Sequence, residues 1–180
     1  MRANLKVLFF SFGPESMASS RTRAYQYVPY LEKHGIEARV INYISPSYFK
    51  LDISWQKVSL FLKLKNYLFS KIQTLKVLFL AKRYDVVVVQ RVLLSECEQI
   101  LLRAVNPHIV FDFDDALFTH PRLTKRFGHM LKISRHLIFE SAINLNYAQK
   151  FNIDVSRIIG PIDIHRYCAK LGKKAARPRL

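Results

Sequence analysis

Four short stretches of this sequence carry polar residues whose types and spacing could do chemistry. The first, Ser11 to Arg23, holds Gly13, Ser19, Ser20, Arg21 and Arg23. If it joins a strand to a helix N-terminus, its free backbone amides and two arginines favour a phosphate or another anion. The ordinary alternative is a capped helix with surface arginines. The second stretch is Asp112-Phe113-Asp114-Asp115, three carboxylates in a basic protein. These could accept hydrogen bonds from sugar hydroxyls or orient a base; otherwise one of them caps the helix that follows. Alternation sends Asp112 and Asp114 to the same side if their strand continues, with Asp115 at its mouth. The third is Gln90-Arg91, where Arg91 could reach the same cleft, and the fourth runs from Glu140-Ser141 to Asn144.

Other chemistries find no pattern. There is no GxGxxG and no GxxxxGK[ST], hence neither a dinucleotide fingerprint nor a P-loop. His120 and His136 lack metal-ligand spacing, and Cys97 and Cys168, the only cysteines, suggest neither a metal site nor a disulfide framework. No metal and no resident cofactor are expected. No Ser-His-Asp order or nucleophile elbow is present.

The elements that must position these residues follow from hydrophobic patterning. Leu5–Phe10 is an apolar run that suits a strand buried on both faces, Asp85–Gln90 holds four valines in a row and is the clearest strand, and Ile109–Phe113 is another buried strand. Ile36–Tyr43, His136–Phe139 and Val155–Ile159 complete the strand set, the last closed by Gly160-Pro161. Helices are expected from Ser19-Ser20, as cap, to His34-Gly35, and over Leu93–Val105, Arg122–Ile133 and Ala142–Phe151. The leucine-rich stretch Trp55–Lys82 is interrupted by lysines, which excludes a membrane span and predicts one or two basic helices. These either pack on a sheet or lie on a membrane surface. Strands separated by helices, repeated along the chain, specify an α/β domain with an open parallel sheet and helices on both faces. In such sheets ligands sit beyond the carboxyl ends of the strands, which selects the four stretches above.

Bulk properties agree. A length of 180 residues suits one domain, and 50% apolar residues suffice for a core. The 29 Lys+Arg against 13 Asp+Glu, a net +16, point to nucleic acid, an anionic membrane surface or a phosphorylated substrate as partner. Cysteine usage fits a reducing cytosol. The N-terminal MRANLKVLFF lacks a small-residue cleavage site and reads as a first strand. The tail Lys170–Leu180 is basic and without apolar period, as in a linker.

The segment KVLFFSFGPESMASSRTRAYQYVPYLEKHGIEARV resembles the first βαβ unit of retaining family-4 glycosyltransferases of the two-lobed GT-B fold. The likeness continues through YDVVVVQR, VFDFDDALF and NYAQKFNIDVSRIIGPIDIHRY, the last similar to the exit from their N-terminal domain. The resemblance implies a Rossmann-like N-terminal acceptor-side domain over residues 1–168, half of a GT-B fold, with a basic linker or tail at 169–180. It implies an acceptor glycan, often lipid-linked, and a nucleotide-sugar held mainly by a second domain, without which the chain would be inactive. Only Gly13 stands where many members carry a Gly-Gly loop. By the same resemblance, Gly13, Ser20 and Arg21 would line the cleft near the donor phosphates and acceptor. Asp114 and Asp115 would contact the acceptor hydroxyl or sugar, and no protein nucleophile is implied. Catalysis of that kind rests on positioning and on stabilising phosphate charge.

Two readings from other classes stand beside this one. The basic Trp55–Lys82 region suits an acceptor-binding subunit held at the inner face of the plasma membrane and working with a separate donor-binding chain. The net charge suits a nucleic-acid-binding α/β protein, although no nucleic-acid motif is present.

Overall fold

The structure is a computed structural model that describes residues 5–53, 59–151 and 154–160. Trp55, the exit segment from Pro161 and the tail lie outside the described residues. Six strands form one all-parallel sheet: β1 (Lys6–Ser11), β2 (Glu37–Asn42), β3 (Val86–Gln90), β4 (Ile109–Asp112), β5 (His136–Phe139) and β6 (Val155–Arg157). Their order is β2-β1-β3-β4-β5-β6. The chain therefore reverses its direction of winding between β1 and β3, the switch point at which open α/β sheets leave a crevice.

Each face has its own core. On one, Leu8, Phe10, Val87, Val89, Ile109, Phe111 and Leu137 meet α4 (Leu60–Ala81), α5 (Glu96–Val105), α6 (Thr124–Ile133) and α7 (Ala142–Ala148). The other face packs Val7 and Phe9 against Tyr27 and Leu31, carried by α1 (Ala18–Arg23), a 3-10 turn (Tyr25–Tyr27) and α2 (Val28–Lys33). Beyond these short helices that face leaves an apolar groove of about 390 Å³ over Val86, Val88, Val110 and Ile138. The domain is thus a Rossmann-like α/β unit with helices on both faces, as its patterning required.

Two helical stretches differ from expectation. The single helix expected from Ser19 to His34 is broken into three pieces. Pro29 has no N–H for a bond to the Tyr25 carbonyl, and its ring crowds that same carbonyl. Neither Ser19 nor Ser20 caps it: Met17 occupies the N-cap, with no side-chain bond. A helix at Pro46–Ile53 (α3) had no clear periodic signal. By contrast α5 carries a full capping box, in which Ser95 Oγ accepts from the Glu98 amide and Glu98 accepts from the Ser95 amide.

Candidate functional site

Four strands end their apolar runs with a polar residue, and the parallel register sets these side by side. Asn42 pairs with Ser11, Ser11 with Gln90, and Gln90 with Asp112. Partners in register share a face, so the four side chains form a row at the carboxyl edge of the sheet. The row is internally bonded: Ser11 Oγ donates to Gln90 Oε1 at 3.0 Å, and the Phe12 amide donates to the same oxygen at 3.3 Å. The Tyr25 hydroxyl donates to Asn42 Oδ1 at 2.5 Å.

Arg23 closes this row from α1. Its Nε donates to both carboxylate oxygens of Asp112, at 3.0 and 2.9 Å, and Nη2 joins the same carboxylate. Only 6% of either side chain is exposed. A third contact runs from Arg23 Nη1 to Glu140 Oε1 at 3.1 Å. Burial pushes the Asp112 carboxyl up, against the hydrogen bonds and charge of Arg23, which pull it down. Burial opposes the Arg23 charge as well, but Asp112, Asp114 and Glu140 more than offset it and raise its affinity for the proton. Arg23 was expected at an anion-binding mouth. Its guanidinium is instead engaged inside the rim, where it organises the carboxyl edge.

The open part of the rim is built around Arg91. Directly after β3, Arg91 adopts φ 57°, the left-handed region that non-glycine residues rarely occupy. Its amide is held by the Asp112 carbonyl at 2.9 Å. From that backbone its side chain, 27% exposed, reaches three ways. Nη1 donates to Ser19 Oγ at 3.0 Å, Nε lies 3.2 Å from Asp114 Oδ1, and Nη2 bonds Asp115 Oδ2. Its guanidinium carbon also stands 5.7 Å from the Phe12 ring centroid. The start of α1 and the acidic turn after β4 are thereby tied into one rim across the switch point.

The remaining expected residues sort into supports and open groups. The Gly13 amide donates to Ser20 Oγ at 3.0 Å, so these two lock their loop rather than present free donors. Arg21 bends back on the Glu15 carbonyl at 3.4 Å, and its buried Nε has no hydrogen-bond partner among the described residues. Asn144 supports the acidic turn, Nδ2 donating to the Asp114 carbonyl at 3.0 Å, while its buried Oδ1 has no hydrogen-bond partner among the described residues. Glu140 sits apart from Asp115, accepting from the Gly160 amide at 2.7 Å and facing Arg23. The expectation that Asp112 and Asp114 share a side rested on a longer strand. β4 stops at Asp112, which turns to Arg23, whereas Asp114 turns to Arg91. The polar row of Ser11, Asn42 and Gln90 was not anticipated as a unit. Its only sequence signal is a polar residue ending each apolar strand, and the buried Gln90 Nε2 has no hydrogen-bond partner among the described residues.

Chemically, the rim offers two carboxylates that can accept hydrogen bonds from hydroxyls and a guanidinium that fixes them. No family model matches the sequence, and no curated protein matches it. Among solved structures, the chain is similar to HepE of Anabaena, crystallised in complex with UDP and glucose. The TM-score is 0.53 at 13% identity, covering 91% of this chain and 46% of HepE. The likeness settles the fold. This chain spans less than half of HepE's length.

Proposed function

We propose that this chain is the acceptor-binding half of a nucleotide-sugar-dependent glycosyltransferase of the two-lobed GT-B type. The observation that carries the reading is the Arg91 clamp, which holds Ser19, Asp114 and Asp115 on one rim at the switch point. Support comes from the fold likeness to HepE, whose crystals contained UDP and glucose, and from the resemblance of the strand–loop–helix segments to family-4 enzymes.

In this reading Asp114 and Asp115 accept hydrogen bonds from acceptor hydroxyls, and Arg91 keeps both carboxylates in place. Ser19 and Arg21 face the sugar or phosphate oxygens across the crevice, the buried Gln90 braces Ser11 behind them, and Gly13 with Ser20 shapes the loop between them. Asn144 fixes the backbone of the acidic turn. Arg23 and Glu140 act behind the rim as positioning residues. A donor domain, on the same or a separate chain, supplies most contacts to the nucleotide.

The test is a titration of the isotope-labelled chain with UDP-glucose and with a panel of oligosaccharides, followed by amide chemical shifts. Glycan-induced shifts should cluster at residues 11–23, 90–91 and 114–115 and vanish in Asp114→Ala/Asp115→Ala. No shift with any glycan, or shifts confined to another edge of the sheet, would defeat the reading.

A further inference from the structure

Helix α4 is turned the opposite way from an ordinary surface helix. Its sheet-facing side is small and partly polar: Ser70, Thr74, Val77 and Ala81 are buried. Ser70 Oγ donates to the Asn66 carbonyl and Thr74 Oγ1 to the Ser70 carbonyl, both at 2.9 Å, so this side is satisfied without neighbours. The large apolar residues point outward instead. Phe61, Leu64, Leu68, Ile72, Leu75 and Phe79 recur every three or four residues, and Phe61, Ile72, Leu75 and Phe79 are 76%, 61%, 66% and 59% exposed. An apolar patch of that extent is rare on a surface without a partner.

Charge decides what partner fits. Lys65 and Lys76 follow Leu64 and Leu75 on one flank of the stripe, and Lys82 lies on the other beside Lys71, whose ammonium is paired with Glu98 of α5 at 2.6 Å. From Asp52 to Asp85 no acidic residue intervenes. Two copies of so basic a face would repel one another. The stripe also runs straight. Phe61 and Phe79 stand 18 residues apart (79 minus 61), about five turns at ~3.6 residues per turn, so they point the same way. A sustained heptad would place an apolar residue at 71, where Lys71 stands, and would wind around a partner helix. A straight apolar line edged by lysines fits a flat anionic surface. No helix among the described residues is long and apolar enough to cross a membrane.

We infer that the outward face of α4 docks this protein on an anionic lipid surface, the aromatic and aliphatic side chains entering the headgroup boundary and Lys65, Lys76 and Lys82 meeting lipid phosphates. This stands apart from the reaction at the rim: a chain that binds vesicles but no glycan would keep the docking face and lose the transferase reading.

Flotation of the whole chain tests it, using phosphatidylcholine vesicles with or without on the order of one-third phosphatidylglycerol. The wild type should float with the anionic vesicles, remain behind with the neutral ones, and dissociate as salt rises from ~0.1 M toward ~1 M. Phe61→Ser/Ile72→Ser/Phe79→Ser and Lys65→Glu/Lys76→Glu should each lower the floated fraction at least about tenfold while retaining the wild-type circular dichroism and melting temperature. The proposal is overturned if the wild type stays at the bottom of the gradient, or if both folded variants float as it does. It is equally overturned if light scattering shows a dimer that the serine variant dissolves and vesicles leave intact.

Discussion

Arg91 and Ser19 lie 72 residues apart in sequence and meet at 3.0 Å, guanidinium to hydroxyl, across the switch point of the sheet. Through that contact the first turn of α1 is joined to the acidic turn after β4, because the same guanidinium also holds Asp114 and Asp115. The geometry depends on a backbone at φ 57°, which aims the side chain along the rim.

Substituting Arg91 separates strain from clamping. Arg91→Ala keeps the unfavourable backbone and loses the three contacts, whereas Arg91→Gly loses the contacts and relieves the backbone. Glycine should therefore be the more stable of the two by about 1 kcal/mol, measured by urea unfolding. Both should abolish glycan-induced shifts at Asp114 and Asp115. Equal stability would show that the left-handed conformation carries no cost here.

The Arg23–Asp112 pair predicts strong non-additivity. Asp112→Leu leaves a buried guanidinium facing only the more exposed Glu140, and should cost about 3–5 kcal/mol. Arg23→Met leaves a buried carboxylate and should cost a similar amount. The double variant should recover most of the loss, since neither charge then remains buried alone. Additive losses in the double-mutant cycle would contradict a direct pair.

Acid stability should depend on Glu98. Burial tends to raise this carboxyl, but the hydrogen bonds from Lys71 and Ser95 outweigh burial and hold it below its ordinary value of 4.5. A depressed carboxylate contributes stability fully above the unfolded value and loses it as pH falls through the lower folded value. Glu98→Gln should accordingly cost about 1 kcal/mol at neutral pH, allowing for the solvent around Lys71, with the difference shrinking below pH 4.5. Melting curves from neutral to acid pH would reveal it; a pH-independent difference would assign the effect to packing.

Gly160 makes a gentler test of the rear of the rim. A β-carbon there would come 2.7 Å from Glu140 Oε1, forcing that carboxylate away from Arg23. Glu140 is the end of a flexible side chain with access to solvent, so Gly160→Ala should cost no more than about 1 kcal/mol. Its circular dichroism should match the wild type. A collapse of the fold would mean that Glu140, rather than Asp112, is the main partner of Arg23.

Much of this architecture was legible from local pattern. The valine run of β3 and the apolar runs of β1 and β4 could only be strands buried on two faces, and the helices between them made the sheet parallel. That alone directed attention to Ser11–Arg23, Arg91 and Asp112–Asp115, because strand carboxyl ends are where an open α/β sheet leaves room. What each polar residue does there depended on register and on distances between segments some 70 to 90 residues apart. Arg23 and Arg91 are both arginines near strand ends, yet one is buried on Asp112 and the other spans the rim; composition does not distinguish them. The same holds for α4. Its leucines and lysines announced a basic helix with apolar cover, but composition does not say which side turns inward. Small side chains at Ser70, Thr74 and Ala81 allow the close approach to the sheet that the bulky stripe would forbid, so steric fit overrode hydrophobicity. Local chemistry thus determined the elements and the edge where function must lie, whereas partner choice among buried charges, and the orientation of α4, were decided by packing in three dimensions.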